Sequence, residues 1–205
     1  MGWRVQDAKP DRSRGSALAV AAVIVAVLLL GMWLGFIFFF GPLFRGLECC
    51  NNVESLAIGL QMYAADFGAF PPADSWCDKT LEYTGNRAVF GCPERSDLPC
   101  GYAYNSALSE LRPDEITDPD HTIIVFESDR GWNAAGGREL LVARPRHGGA
   151  DYFGFAGGEM NSPRPIAKVV RREDLDRGRA GLWWNASEGK QPSARTLVGP
   201  RESPP

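Results

Sequence analysis

The sequence predicts an α+β fold in which one long N-terminal helix first crosses a membrane and then packs on a small antiparallel β-sheet. Three observations support this prediction. An uncharged apolar run covers 16–44, apolar side chains follow it with helical spacing, and short β-rich segments separated by glycines occupy the later part of the chain. A length of 205 residues fits one folded domain with appended segments.

The predicted membrane span is the run from Ser16 to Phe44, which contains no charged side chain. A helix needs about 20 apolar residues to cross a bilayer, whereas the core of a signal peptide has about 7–15. Residues 1–16 carry a net charge of +2. The positive-inside rule therefore places the segment 1–15 in the cytoplasm and the chain from 45 onwards outside, in the periplasm or at the cell surface.

Beyond the anchor, apolar side chains recur at intervals of three and four: Val53, Leu56, Leu60, Tyr63 and Phe67. This spacing is typical of a helix that buries one face. Pro42 lacks a backbone donor, so we expect a bend there in a helix that continues. Gly68 and the prolines at 71–72 predict the end of the helix.

The body of the predicted ectodomain, 45–160, has β character. Strands are expected at 101–105, 122–127, 140–143 and 152–155. The connections are too short for crossover helices, which favours antiparallel pairing. In the C-terminal extension, 161–185, we expect an edge strand over 167–170 and a short helix over 171–177. The tail, 186–205, is rich in Pro, Ser and Gly and is predicted to be disordered.

The charge distribution argues against a nucleic-acid partner. Residues 17–160 carry nine basic and eighteen acidic side chains, while the region 161–205 has a net charge of +4. Proteins that bind phosphate backbones need a basic footprint on the folded domain. No nucleic-acid partner is therefore expected.

The chain has five cysteines: Cys49, Cys50, Cys77, Cys92 and Cys100. An exported domain lies in an oxidising compartment, so disulfides are expected, and an odd count leaves one thiol unpaired or intermolecular. We expect Cys92–Cys100 first, with Cys77–Cys92 as the alternative. A zinc site is less favoured, because no C-x-x-C pair occurs and the histidines are His121 and His147.

Several motifs carry a family resemblance. The stretch from Cys49 to Tyr63 reads CCNNVESLAIGLQMY and is followed by DFGAFPP at 66–72. Later pieces are Cys-Pro at 92–93, YAYN at 102–105 and RHGGADY at 146–152. In order and spacing these resemble the pilin-like or pseudopilin-like proteins, of prepilin type, that are abundant in planctomycetes and related bacteria.

The resemblance implies a pilin-like fold and a non-enzymatic role in a bacterial secretion or cell-surface system, similar to type II secretion. Other pilin-like or secretion-system proteins would be its partners. The chain departs from the family where prepilins carry a glutamate after the cleavage site, since Val20 or Phe40 stands there. It also lacks the family's final Asp and His, because the stretch 155–159 reads FAGGE. We therefore expect the chain to keep its anchor.

Some secretion pseudopilins bind calcium in their β-loops, and this implies a candidate calcium site at Glu127, Asp129 and Asp151. The alternative function is then a membrane-anchored ectodomain that senses calcium or another ligand; no other cofactor is expected. The acidic segment 114–120 lacks the spacing of a calcium loop and predicts a solvated turn. A catalytic arrangement of His147 with Asp151 and a serine is not favoured, because His147 lies in a glycine-rich turn where such rings cap or pack.

Overall fold

The computed structural model describes residues 12–158 and 165–188, with the side chains of 12–17, 42 and 43 left aside. These residues belong to two compact units, divided between Phe44 and Arg45. The predicted cytoplasmic segment up to residue 11 and the predicted tail from 189 onwards lie outside the described residues.

The first unit contains the N-terminal part of helix α1 (Arg12–Phe67), which has 56 residues in all. Between 18 and 40 every residue of this helix is exposed, and most of the exposed side chains are large and apolar. The helix is long and apolar enough to cross a membrane. It continues through Pro42 as predicted, while the bend expected there stays a prediction.

The second unit is built on a five-stranded sheet with the order β3-β1-β2-β4-β5. Its strands are β1 (Tyr102–Asn105), β2 (Ile123–Glu127), β3 (Ala135–Gly136), β4 (Ala150–Phe155) and β5 (Ala167–Arg171). Antiparallel pairing joins β1 to β2, β2 to β4 and β4 to β5, but β3 pairs in parallel with β1. The α+β class is confirmed, and the sheet is mixed instead of purely antiparallel.

Two further helices and several 3-10 turns complete this unit. The helices are α2 (Trp76–Thr84) and α3 (Arg172–Asp176), and the 3-10 turns cover Arg87–Phe90, Ser106–Leu108, Pro113–Glu115 and Arg138–Leu140. Helix α2 was not predicted. The strand expected at 140–143 is wrong, because that segment begins in a 3-10 turn and pairs with the sheet only through an isolated bridge between Ser128 and Leu141.

The C-terminal part of α1 packs one face on the sheet. Its fully or almost fully buried apolar side chains are Cys49, Val53, Leu56, Ala57, Leu60 and Ala64. The predicted stripe is wrong at its end, since Phe67 is 66% exposed and lies in the last turn of the helix. Gly154 in β4 permits the close approach, because a Cβ there would lie 2.9 Å from the Cβ of Ala57 and 2.6 Å from Cγ1 of Val125.

Candidate functional site

Four side chains of metal-ligating type meet beside helix α1 in the second unit: Cys49, Cys92, Glu127 and His147. Their ligand atoms all lie within 4.8 Å of one another. The two cysteines and Glu127 are at most 1% exposed, and the His147 side chain is 7% exposed. We refer to these four residues as the Cys-His-Glu cluster.

Helix α1 and the segment after the first 3-10 turn hold the two cysteines. Cys49 extends the buried face of α1 by one turn before Val53. Asn52 Nδ2 donates to the carbonyl of Gly91 at 2.9 Å and so fixes the segment that carries Cys92 against the helix. The backbone N–H of Arg95 donates to the Cys92 carbonyl at 2.8 Å, which closes a tight turn around this cysteine.

The sheet supplies the other two members. Glu127 is the last residue of β2, and His147 lies in the turn that leads into β4. Gly148 and Gly149 follow with φ angles of 61° and 92°, a left-handed conformation that glycine adopts without strain. The N–H of Ala150 donates to the His147 carbonyl at 3.2 Å, so the turn presents the imidazole to Glu127.

The cluster is joined by short polar contacts. The sulfurs of Cys49 and Cys92 are 3.1 Å apart, and His147 Nε2 lies 2.9 Å from Glu127 Oε1. The other carboxylate oxygen of Glu127 accepts the backbone N–H of Tyr152 at 3.1 Å. Arg146 places Nη1 3.8 Å from Glu127 Oε1, with its side chain 7% exposed.

These contacts shift the titration of the buried groups. The hydrogen bond to Cys92, together with burial, raises the pKa of Cys49. The same hydrogen bond lowers the pKa of Cys92, aided by His147 and the charge of Arg146, although burial opposes the shift. Burial alone would lower the pKa of His147, but hydrogen bonds to Cys92 and Glu127 outweigh it and raise this pKa to about 9. The cluster thus favours one thiolate beside one imidazolium.

A second pair of buried cysteines lies elsewhere in the same unit. The sulfurs of Cys77, in α2, and Cys100 are 4.0 Å apart. Cys77 Sγ accepts the N–H of Asn133 at 3.2 Å, and Cys100 Sγ lies 3.3 Å from the carbonyl oxygen of Tyr102. Within the described residues, the side chains gathered in metal-ligating geometry are those around Cys92, so this pair has no comparable partners.

The cysteine contacts differ from the expected bridges. The structure brings Cys92 to Cys49 and Cys100 to Cys77, and it places neither Cys92–Cys100 nor Cys77–Cys92 in sulfur contact. Neither pair is joined by a disulfide in the structure. Proximity along the chain favoured the expected pairs, but α1 and α2 bring in partners 43 and 23 residues away. Cys50 is half-buried beside the first pair.

The three carboxylates of the candidate calcium site are bound by basic side chains instead of facing one another across a common site. Asp129 Oδ1 lies 2.5 Å from guanidinium nitrogens of Arg95 and Arg146. Asp151 is fully buried and accepts two hydrogen bonds from Arg172, both at 2.7 Å. Of the three, Glu127 alone belongs to the ligand cluster found among the described residues.

The catalytic arrangement weighed from the sequence does not form either. His147 contacts Glu127, whereas Asp151 is occupied by Arg172. Cys92 is 1% exposed, so its sulfur faces the protein interior.

Sequence reasoning missed the role of Cys49. The available signal was its position four residues before Val53, which continues the spacing of the buried stripe. The sequence also indicated the turn at 146–149, but it did not identify Glu127 as the partner of His147. A glutamate directly after a strand of buried apolar residues is the signal for such a partner, because a buried carboxylate needs hydrogen-bond donors.

Comparisons of the chain with protein-family models, curated proteins and solved structures give no match. The resemblance to pilin-like proteins therefore remains a hypothesis that depends on the motifs quoted above.

Proposed function

We propose that this protein is a membrane-anchored, non-enzymatic, pilin-like component of a bacterial secretion or cell-surface system, with its folded domain in the periplasm or at the cell surface. The observation that carries the proposal is helix α1, which has an exposed, charge-free apolar surface in the first unit and a buried stripe within the folded second unit.

The exposed apolar part supports the anchor. The uncharged run 16–44 would span about 44 Å as a helix at about 1.5 Å per residue, which exceeds the ~30 Å of a hydrocarbon core. Exposed side chains such as Leu28, Phe38 and Phe39 would be unfavourable in water over so large a continuous surface. In a bilayer this surface would contact lipid acyl chains instead of water. The basic segment 1–16 favours a cytoplasmic N-terminus.

The folded unit supports a role in interaction instead of catalysis. The Cys-His-Glu cluster is enclosed, as the burial of Cys92 and Glu127 illustrates. An aromatic group, by contrast, lies at the end of α1 and on α2, where the ring of Tyr63 is 4.5 Å from that of Phe67 and 5.9 Å from that of Tyr83. Aromatic side chains of this kind are enriched at protein interfaces, so this group is our candidate contact surface for other pilin-like proteins.

Topology is tested with a dual reporter of alkaline phosphatase, active only after export, and a fluorescent protein that matures in the cytosol. Fusions after residue 47 are expected to be active only as phosphatase, and removal of 1–44 should abolish that activity. A Leu29→Arg variant adds a single charge at mid-span. Because such a charge is costly in the bilayer, it should weaken membrane retention. Cytosolic fluorescence after residue 47 would refute the proposed location.

Membrane retention is tested separately by carbonate extraction and intact mass. The full chain should stay in the membrane pellet with an unprocessed N-terminus. A soluble product lacking the apolar run would identify that run as a cleaved signal and would overturn the anchor. Retention of a shorter chain beginning near Ser16 would instead point to prepilin processing.

A further inference from the structure

We propose that Cys49, Cys92, Glu127 and His147 bind one zinc ion, held by two thiolate sulfurs, one imidazole nitrogen and one carboxylate oxygen. This inference goes beyond the anchoring and interaction role and does not depend on it. The ligand cluster lies wholly within the second unit, and its argument stands whether or not the chain belongs to a secretion system.

The donor set selects the metal. Thiolate and imidazole ligands suit zinc and other borderline-soft divalent ions, whereas calcium takes six to eight oxygen ligands. The cluster offers two sulfurs and one nitrogen but only one carboxylate. It therefore favours zinc at the position where the sequence alone led us to expect calcium around Glu127.

The distances fit a tetrahedral ion with small adjustments. With Zn–S of about 2.3 Å and Zn–N or Zn–O of about 2.0–2.2 Å, ligand atoms in a tetrahedron are separated by roughly 3.3–3.8 Å. The present separations are 3.1 Å between the sulfurs and 2.9 Å between His147 Nε2 and Glu127 Oε1, with all pairs under 4.8 Å. Insertion of the ion needs the two short contacts to open by about half an ångström and any pair near the 4.8 Å limit to close by about 1 Å.

The surroundings of Glu127 resemble the support that metal ligands receive. Its Oε2 accepts the Tyr152 N–H, which fixes the carboxylate and leaves Oε1 directed at His147. Such second contacts orient a ligand and are part of a metal site. Arg146, 3.8 Å from Oε1, supplies a positive charge beside a ligand set in which three anionic groups exceed the charge of a divalent ion.

A disulfide between Cys49 and Cys92 is the competing use of the same sulfurs. It would need no other side chain and would leave Glu127 and His147 as a buried pair without a role in it. The Cys77–Cys100 pair shows the simpler environment, since its neighbours are the N–H of Asn133 and the carbonyl of Tyr102. In the part of the chain that the structure describes, a carboxylate and an imidazole together surround the first pair and not the second, which favours a cation at the first pair.

The first test measures metal in the full-length chain, purified in detergent without chelator and analysed by plasma mass spectrometry. We expect one zinc per chain in the wild type. Cys92→Ser, Glu127→Gln and His147→Gln should each weaken zinc binding by on the order of 100-fold. The double variant C77A/C100A is the matched control, which removes two buried sulfurs of the same unit and should keep the metal.

The second test uses cobalt as a spectroscopic probe, so that the result does not depend on the folding of a variant. Metal-depleted wild type should bind one Co²⁺ with a thiolate-to-cobalt charge-transfer band and tetrahedral d–d absorption. Bound cobalt without the thiolate band would overturn the proposal. So would a Cys49–Cys92 disulfide, mapped by mass spectrometry in cells whose thiols were alkylated at lysis, or reduced protein that binds neither metal.

Discussion

The two cysteine pairs of the folded unit have similar burial but different electrostatic surroundings. Cys49 and Cys92 lie among Glu127, His147 and Arg146, and the hydrogen bond from Cys49, with His147 and the charge of Arg146, lowers the pKa of Cys92. At the other pair, burial raises the pKa of Cys77, whose hydrogen bond to Cys100 lowers the pKa of Cys100. Among the described residues, this pair has no carboxylate and imidazole gathered around its sulfurs. Two sulfurs in proximity therefore do not define one chemistry; the groups around them decide between a metal ligand and a simple covalent bridge.

The largest effect is expected from Glu127→Ala, which would remove the acceptor of His147 and of the Tyr152 N–H. Loss of one partner of a buried charged pair costs about 3–5 kcal/mol. Urea unfolding of the detergent-solubilised chain, followed by tryptophan fluorescence, measures it. Glu82→Ala, at an exposed position on α2, is the control and should change stability by less than about 0.5 kcal/mol. Equal effects of the two substitutions would mean that the charges around the first pair are not structurally important.

The next effect concerns the second pair. In the oxidising compartment proposed here we expect Cys77 and Cys100 to form a disulfide, and the double variant C77A/C100A should then lose about 3 kcal/mol. Dithiothreitol should lower the free energy of unfolding of the wild type by a similar amount, seen as a lower unfolding midpoint. It should leave the midpoint of the double variant unchanged. Insensitivity of the wild type to reductant would show that this pair is not bridged.

A smaller effect is expected from Gly154→Ala. A new Cβ would lie 2.9 Å from Ala57 and 2.6 Å from Val125, so α1 would have to shift away from β4 at a cost of about 1–3 kcal/mol. Because Cys49 is carried by α1, zinc binding should weaken while the state of Cys77 and Cys100 stays the same. Metal content and disulfide mapping on the same sample separate the two pairs. Unchanged metal binding would show that the first pair does not depend on this helix contact.

The smallest effect is expected from Cys50→Ser. Cys50 is half-buried, and it is not among the four clustered ligands. Stability should change by less than about 0.5 kcal/mol, with zinc content unaffected. This variant controls for general sensitivity to the loss of a cysteine next to Cys49. A loss of metal in this variant would mean that Cys50, and not Cys49, is the zinc ligand.

Local patterns explain which parts of the fold the sequence predicted. The stripe at Val53, Leu56 and Leu60 is visible because a helix repeats its buried positions every three or four residues. The strand ending at Glu127 is visible because it is a short run of β-branched and aromatic residues. Helix α2 was not predicted because, of its nine residues, only Trp76, Cys77 and Thr80 are buried, which is too few to show a helical repeat. The two-residue strand β3 was too short to show any period.

The candidate site was less predictable than the fold. The turn of His147 was recognisable from its glycines, but its contact with Glu127 depends on the antiparallel pairing of β2 with β4. The expected cysteine pairs followed closeness along the chain. The observed contact between Cys49 and Cys92 spans 43 residues and arises only when α1 packs beside the sheet.

The sequence by itself determined the apolar helix, the α+β class and most of the strands, because each depends on the composition or spacing of side chains within a short segment. Tertiary structure alone decided the parallel pairing of β3 with β1, the partners of the cysteines and the assembly of the Cys-His-Glu cluster. The physical reason is that these contacts join distant segments, whose relative placement follows from how the whole core packs and not from any local pattern.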